Sequence, residues 1–225
     1  MPTGSYEIRV CVSCGLRYPL VEGHPFGVRC PVCIGETKVV LRRGLNTERD
    51  VQAEEKVESK NGFAVLLDNI RSAWNVGSIL RSADGFGFSH AYLCGITPTP
   101  EHEAVTKTSL GAEASVPWSY HKDAVKVVRD LKEENWKVYG LEQDARAIVI
   151  NGAISLAPRK AIGASIQREM LIVGNEVTGV DPELLDRCDK LLYIPMRGEK
   201  KSFNVAVAFG IAAYALCVKD KERLS

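Results

Sequence analysis

The sequence lacks several features that would fix its class at once. No stretch approaches 18 consecutive apolar residues, and the N-terminus has no basic-then-apolar layout of a signal peptide, so we expect a cytoplasmic protein. It contains no internal repeat and no low-complexity tract. Hydrophobic residues make up 45% and charged residues 25% of the 225 positions, which disfavours disorder, collagen-like repeats and a dedicated coiled coil. The length suits one domain with a small additional module.

A large net charge is also lacking, because 29 basic residues face 28 acidic residues. The charges are nevertheless unevenly distributed. Six basic and three acidic residues give residues 1–43 a net charge of +3, whereas three basic and five acidic residues give residues 44–60 a net charge of −2. We therefore predict a small basic module over 1–43, a charged linker over 44–60 and a main domain over 61–225. Any nucleic acid must be held by local clusters and by the N-terminal segment.

Four of the seven cysteines form two CxxC pairs, Cys11 with Cys14 and Cys30 with Cys33. Their separation falls in the range of four-cysteine zinc sites. Each pair brings two thiolates together from one tight turn, for which Gly15 supplies a positive φ. A segment of about 40 residues buries too little apolar surface to fold without such help. We therefore predict a structural zinc ion bound by these four cysteines.

The other interpretations of these residues are weaker. A redox role expects one CxxC pair beside a βαβ unit and leaves the second pair unexplained. His24 could replace a cysteine ligand, but an exposed loop histidine is the simpler interpretation because four thiolates are already present. Cys94, Cys188 and Cys217 lie in apolar or helical surroundings and are interpreted as small buried hydrophobic residues.

After residue 62, short β-branched runs alternate with helical patterns, which predicts an α/β domain with a largely parallel sheet. The clearest strands cover residues 63–67, 91–94, 137–141, 170–173 and 191–194. Apolar residues at helical spacing predict helices over 75–86, 121–135 and 204–219. The last helix is apolar nearly all round and needs cover on more than one face, which a dimer interface would provide.

Three segments rich in glycine or asparagine follow predicted strands, where α/β proteins bind ligands. None fits GxGxxG or the P-loop, so a nucleotide held by its phosphates is not indicated, whereas a phosphate-free nucleoside cofactor stays open. Singly, each has a plain alternative: a helix cap at Asn75 or at Ser202 with Asn204, an Arg81–Asp84 ion pair, or a solvated Glu176. Together they spell three ordered motifs: NxGxxxR (Asn75, Gly77, Arg81), GNExxG (Gly174, Asn175, Glu176, Gly179), and IPMxG followed by SxN (Ile194, Pro195, Met196, Gly198, Ser202, Asn204).

In these motifs, over about residues 62–219, the chain resembles the SpoU (TrmH-like) RNA 2′-O-ribose methyltransferases of the SPOUT superfamily. The resemblance implies a parallel-sheet α/β domain with a trefoil knot, which is a rare exception to the rule against knots. It also implies a homodimer that transfers a methyl group from S-adenosylmethionine to a ribose 2′-hydroxyl of tRNA or rRNA, without a DNA or membrane partner. The cofactor would be held by backbone around Gly174, Ile194, Met196 and Phe203.

The resemblance further implies a catalytic set of Arg81, Asn75, Glu176, Ser202 and Asn204. A guanidinium stays protonated, so we expect Arg81 to orient the hydroxyl through the adjacent phosphate and to stabilise developing oxyanion charge. Asn75 would position Arg81 or the ribose. Glu176 would hold Arg81 or accept the proton, while Ser202 and Asn204 would fix their loop and contact RNA.

Two positions depart from the family pattern. Phe203 stands where the family usually has leucine, and Trp74 ends a Ser-Ala-Trp sequence where many relatives have Asn-Pro-Gly. Trp74 would either stack on a flipped-out nucleoside or simply pack. Basic side chains flanking the motifs are candidates for phosphate contacts, with solvated surface as the alternative for each: Arg71, Lys107, Arg197, Lys200 and Lys201.

The predicted zinc module fits an RNA-delivery role, because zinc knuckles recur as RNA-binding units and this one is basic. Two other functions remain open from the sequence. One is a knotted RNA-binding protein without catalysis, which the three fully occupied motifs disfavour. The other is methylation of a base, which the pairing of NxGxxxR with SxN disfavours.

Overall fold

The computed structural model describes residues 4–24, 28–44, 62–150 and 168–217. The chain divides into two compact units, Met1–Val57 and Glu58–Ser225, which we call the N-terminal and C-terminal units. Apart from residue 44, the predicted linker 44–60 lies outside the described residues. The predicted domain boundaries therefore stay predictions.

The N-terminal unit is an antiparallel sheet of β1 (Ser5–Cys11), β2 (Arg17–Val21) and β3 (Thr37–Gly44), in the order β2-β1-β3. The turns that precede β2 and β3 carry the two CxxC pairs. In the described part of this unit, the buried residues are Arg9, Cys11 and Cys30. Such limited burial of apolar side chains leaves a small domain dependent on another source of stability.

The C-terminal unit contains a seven-stranded sheet in the order β6-β5-β4-β9-β7-β10-β8. All described strand pairs in it are parallel, which confirms the predicted fold class. The central strands β4 and β9 are buried at every residue, as expected for a sheet covered on both faces. The strands are β4 (Phe63–Asp68), β5 (His90–Cys94), β6 (Trp118–His121), β7 (Lys137–Leu141), β8 (Ile148–Val149), β9 (Glu169–Val173) and β10 (Lys190–Tyr193).

Helices pack on both faces of this sheet. One face carries Val65 and Leu67 of β4 in a cluster with α1 and α6, and the other carries Ala64 and Leu66 in a cluster with α4 and α5. The unit is therefore a three-layer α/β/α structure. Its helices are α1 (Ala73–Gly85), α2 (Glu103–Ser109), α3 (Ala112–Ser115), α4 (Ala124–Glu133), α5 (Pro182–Arg187) and α6 (Val205–Cys217).

All five predicted strands are present, and the three predicted helices correspond to α1, α4 and α6. The predicted start of the second helix at residue 121 was wrong. His121 ends strand β6, and α4 begins only after Asp123, whose side chain accepts a hydrogen bond from the Lys126 N–H as an N-cap. Residues 218 and 219 of the predicted last helix lie outside the described residues.

The trefoil knot stays a prediction. Among the described residues, no helix is both long and apolar enough to cross a lipid bilayer.

Candidate functional site

A pocket of about 430 Å³ opens at the carboxyl ends of β7, β9 and β10. This is the edge at which parallel α/β sheets bind ligands, and the volume lies in the range of small-molecule sites. The pocket brings together residues from the second and third motifs: Gly174, Glu176, Ile194, Ser202, Phe203 and Asn204. Met196, which the resemblance assigns to the cofactor, is half-buried and does not line it.

Glu142 places a carboxylate in this pocket that the sequence prediction missed. One of its oxygens accepts a hydrogen bond from the Val180 N–H at 3.0 Å, and the other accepts one from the Gln143 N–H at 2.8 Å. A Cβ on Gly179, whose φ is +73°, would come within 2.3 Å of the Glu142 carboxylate. A side chain at the last glycine of GNExxG would therefore displace the Glu142 carboxylate. The signal in the sequence was its position directly after a predicted strand.

Glu176 joins the second motif to the start of α1. Its two oxygens accept hydrogen bonds from the N–H of Arg71 at 2.9 Å, the N–H of Ser72 at 3.1 Å and the side-chain amide of Asn75 at 2.8 Å. Ser72 is the N-cap of α1 and accepts from the Asn75 N–H, so the cap predicted as an alternative role for Asn75 belongs to Ser72. Glu176 thus fixes the first turn of the helix that carries NxGxxxR.

The ionisation of Glu176 follows from these contacts. Burial alone would raise its pKa, but the N–H of Arg71 and the amide of Asn75 outweigh burial and hold the pKa below its ordinary value. The group is therefore a carboxylate at neutral pH and a weak base. This favours positioning by Glu176 over acceptance of a proton.

Asn204 connects the third motif to the same network. Its side-chain amide donates to the Asn75 side-chain oxygen at 3.0 Å, while its own oxygen accepts from the Ala206 N–H at 3.0 Å and caps α6. The helix-cap alternative for Asn204 is thus correct, yet the residue also links two motifs. Ser202 lines the pocket, and the neighbouring Phe203 is 40% exposed.

The first glycines of the two earlier motifs have packing roles. A Cβ on Gly77 would come within 2.0 Å of the Thr108 hydroxyl oxygen, so this glycine allows α1 to lie close to α2. A Cβ on Gly174 would come within 2.3 Å of the Val180 nitrogen. Part of each motif is therefore needed to assemble the site, independently of any ligand.

Arg81 lies away from the Glu176 network within a single chain. Six residues after Asn75, it sits about 9 Å further along α1 and about 240° around the helix axis. Its side chain is exposed, and among the described residues no ion pair joins it to Asp84 or Glu176. Neither the ion-pair alternative nor the expected Glu176–Arg81 contact is present in one chain.

The other candidate RNA contacts are exposed side chains. Trp74, on the first turn of α1, is 58% exposed, so its ring is not packed in the core of a single chain. Lys107 pairs with Glu103 one turn earlier in α2. The Gln143 side chain donates to the Lys201 carbonyl and so connects the end of β7 to the loop before α6. The remaining flanking cations are exposed: Arg71, Arg197, Lys200 and Lys201.

The four cysteines of the two CxxC pairs converge in the N-terminal unit. Their sulfurs lie within 4.8 Å of one another, with Cys11 and Cys33 at 3.4 Å and Cys14 and Cys30 at 3.7 Å. A tetrahedral zinc ion with bonds of about 2.3 Å places its sulfur ligands about 3.8 Å apart. Gly15 has a φ of +76°, as the tight turn was expected to require. The donor set therefore fits a structural zinc ion.

The local backbone lowers the thiol pKa at two of the four cysteines, Cys11 and Cys30. The Cys14 N–H points to the Cys11 sulfur at 3.4 Å and is the main cause that lowers the pKa of Cys11 to about 6. At Cys30, the Cys33 N–H is the main cause of a lowered pKa. Thiolates are the form that binds zinc, so each knuckle turn prepares one of its sulfurs for the metal.

Sequence comparisons identify relatives of this chain among known proteins. The chain is 34% identical over 152 residues to the 23S rRNA (guanosine(2553)-2'-O)-methyltransferase RlmP of Bacillus subtilis (strain 168), covering 68% of this chain and 56% of that protein. It is 32% identical over 153 residues to the 23S rRNA (guanosine-2'-O-)-methyltransferase RlmB of Escherichia coli (strain K12), covering 68% and 58%. The chain thus spans less than two thirds of these relatives.

Solved structures share the fold of the C-terminal unit. The AdoMet-bound rRNA methyltransferase from Sinorhizobium meliloti matches with 25% identity and a TM-score of 0.59, over 72% of this chain and 57% of that one. The A. aeolicus TrmH/SpoU tRNA modifying enzyme matches with 23% identity and a TM-score of 0.61, over 73% and 78%. The family model described as SpoU rRNA Methylase family matches residues 62–214, about two thirds of the sequence. The chain belongs to the SpoU rRNA methylase family.

Proposed function

We propose that this protein methylates a ribose 2′-hydroxyl of rRNA or tRNA, with S-adenosylmethionine as methyl donor, in the cytoplasm. One observation carries the proposal. One hydrogen-bonded chain beside a pocket of about 430 Å³ links a residue from each motif: Asn75, Glu176 and Asn204. The first and last of these residues are more than 100 positions apart in the sequence. The names of the relatives support the same chemistry.

The pocket suits a nucleoside cofactor without phosphates. Its walls include Gly174, Ile194 and the apolar side chain of Phe203, and Glu142 adds a negative charge suited to a cationic ligand. S-adenosylmethionine, when bound, supplies an electrophilic methyl group on a sulfonium. We propose that Gly174, Ile194 and Phe203 hold the cofactor, with Met196 acting only through the backbone of its loop.

The chain's own residues would orient the ribose. Glu176 holds Asn75 and the first turn of α1, and Asn204 holds the other side of Asn75, so the Asn75 side chain is fixed from two directions. We propose that Asn75 positions the ribose, that Ser202 contacts RNA at the pocket rim and that Arg81 stabilises negative charge as it develops on the attacking oxygen.

A homodimer is part of this proposal. On α6, Val207, Ile211 and Tyr214 are 51%, 37% and 45% exposed and recur at helical spacing. Such an apolar stripe is typical of a surface that a second protein copy covers. Arg81 lies away from the Glu176 network of its own chain. The position of the second copy therefore determines whether Arg81 acts at the pocket of its own chain or at that of its partner.

We also propose that the four thiolates hold a structural zinc ion and that the N-terminal unit contributes to RNA binding. The convergence of four sulfurs supports the metal, and the net charge of +3 over residues 1–43 supports the RNA role.

Mapping of 2′-O-methylated positions in cellular RNA tests the reaction. RNA from cells with the gene should carry at least one 2′-O-methyl site that is absent without it, and reintroduction of the wild-type gene should restore that site. An identical set of ribose methylations in both strains would contradict the proposal. A lost base methylation would instead support the base methyltransferase.

A further inference from the structure

The sheet of the N-terminal unit has two faces. On one of them, the charged and hydroxyl side chains are paired with partners within the unit. On this face Glu7 accepts from Arg9 and from Arg42, the latter at 2.6 Å, and Arg9 also donates to the Thr37 hydroxyl at 2.8 Å. The Tyr18 hydroxyl donates to the backbone carbonyl just before the second CxxC pair, at 3.0 Å. The charges on this face are therefore paired, and the segment between β2 and β3 contacts it.

The opposite face, which we call the open face, consists of Tyr6, Ile8 and Val10 of β1 with their direct partners on β2 and β3. Directly paired residues of an antiparallel sheet project to the same side. Tyr6 pairs with Val21 and Arg43, Ile8 with Pro19 and Leu41, and Val10 with Arg17 and Lys38. Val21 is 43% and Leu41 is 40% exposed, so the face presents apolar surface to solvent in the described part of this unit.

Every charge on the open face is positive. Arg17, Lys38 and Arg43 are exposed and stand around the apolar centre, whereas the only carboxylate within the three strands, Glu7, belongs to the paired face. A second copy of this face would bring like charges together, which disfavours self-association through it. A polyanion with apolar surfaces of its own is the complementary partner.

We infer that the open face binds an unpaired segment of the substrate RNA, with bases against Tyr6 and the aliphatic side chains and phosphates against Arg17, Lys38 and Arg43. Unpaired bases expose faces that stack on aromatic side chains, and cations track the backbone beside them. A duplex offers mainly phosphates and 2′-hydroxyls, so the apolar centre would gain little from it. The inference rests on the proposed function, because it assigns the RNA-binding surface of that enzyme.

Charge-matched double variants of the full, zinc-loaded chain test the inference. Arg17→Gln with Arg43→Gln removes two charges from the open face, and Arg29→Gln with Arg42→Gln removes two from elsewhere in the same unit. Binding of a short fluorescent oligouridylate is measured by anisotropy over a range of salt concentrations. We expect the open-face variant to bind about tenfold more weakly, with a salt slope shallower by about 1.4, and the control to change less than about threefold.

Substitution of Tyr6 tests the apolar centre separately from charge. Tyr6→Ala should weaken oligouridylate binding about tenfold, whereas Tyr6→Phe keeps the ring and should bind like the wild type. Zinc content and melting temperature of each variant show whether the unit is still folded. If Tyr6→Ala is unstable, the charge-matched double variants decide the test.

Three results would overturn the inference: equal loss of affinity in the two double variants, unchanged affinity in the open-face variant, or a lowered melting temperature of the C-terminal unit in that variant. The last would show that the face packs against protein. The assay contains no cofactor, so it is independent of methyl transfer. A chain that binds oligouridylate through this face but methylates no ribose would contradict the proposed function alone.

Discussion

The two units of this chain reach a folded state by different means. In the described residues of the N-terminal unit, only Arg9, Cys11 and Cys30 are buried, whereas the C-terminal unit packs two apolar clusters against the two faces of its sheet. Burial of apolar surface drives the folding of the second unit. For the first unit, we expect the metal to supply most of the folding free energy. The comparison predicts that conditions which unfold one unit should leave the other unit folded.

The largest expected effect is loss of the N-terminal fold on removal of zinc. Structural zinc contributes about 10–16 kcal/mol of apparent binding free energy to small domains. We expect this contribution to exceed the free energy that the unit gains from its few buried residues. We expect one zinc per chain in protein prepared without chelator, and none in the Cys11→Ser, Cys30→Ser variant. Elemental analysis measures the zinc content, and near-ultraviolet circular dichroism or NMR shows whether the N-terminal unit is folded.

The control for this prediction is the other unit. Melting of the C-terminal unit and its affinity for S-adenosylmethionine should be the same in the cysteine variant and the wild type. A zinc content unchanged by the two substitutions would exclude these ligands. Loss of the C-terminal unit together with the zinc would show that the two units are not independent.

The second prediction concerns Glu169, a buried acid in the C-terminal unit. Burial raises its pKa to about 7, the Tyr139 hydroxyl is its hydrogen-bond partner at 3.4 Å, and within the described residues its second oxygen has none. As pH rises, the unfolded chain loses this proton first, near the ordinary value of 4.5. Glu169 should therefore cost no stability below about pH 4.5 and up to about 3 kcal/mol above pH 7.

Glu169→Gln isolates this contribution, because other titrating groups are common to both proteins. The difference in free energy of unfolding between variant and wild type, measured by denaturant titration at several pH values, should shift in favour of the variant between pH 4.5 and 7. A difference that does not depend on pH would show that Glu169 keeps an ordinary pKa in the folded chain.

The third prediction concerns Arg81 in the proposed chemistry. Arg81→Ala should lower the single-turnover methylation rate by at least about 100-fold, the scale for loss of one preorganised charge donor, with little change in cofactor affinity. Arg81→Lys should recover little, since a point charge does not replace a planar fork. Arg129→Ala, at an exposed arginine of α4, is the matched control. Near-normal turnover by a folded Arg81→Ala protein would remove Arg81 from the mechanism.

Several parts of this fold and site could be predicted from sequence because their signals are local. Continuous apolar runs marked β4 and β9, and the CxxC spacing marked a cluster of sulfurs that the fold then brings together. Strand β8 has two residues, and β6 has half-exposed, partly polar residues at the edge of the sheet, so neither produces such a run. Edge strands depend on a neighbour, which a single segment does not reveal.

The site also has parts that the sequence predicts and parts that it does not. Motif order identified Asn75, Glu176 and Asn204 as a set, but the sequence did not show that they bond to one another over more than 100 residues. Glu142 was missed because its role depends on the Gly179 conformation and on the Val180 N–H, both distant in sequence. Within one chain Glu176 does not contact Arg81, because helix geometry places Arg81 on another face of α1.

The fourth and smallest expected effect separates the two units in function. Residues 58–225 alone should bind S-adenosylmethionine like the full chain, because all three motifs lie there, but should bind substrate RNA about tenfold more weakly and with a shallower salt slope. Calorimetry with the cofactor and anisotropy with the RNA measure the two affinities. Equal RNA affinity and equal salt slope would assign the N-terminal unit another role.

The most direct test of the central claim is the chemical position of the transferred methyl group. Purified full-length protein is incubated with S-adenosylmethionine and RNA from cells that lack the gene, and the RNA is digested to nucleosides for mass spectrometry. The proposed function predicts a nucleoside whose added methyl group leaves with the ribose on fragmentation. A methyl group that stays with the base, or no methylated product from protein that binds both cofactor and RNA, would contradict it.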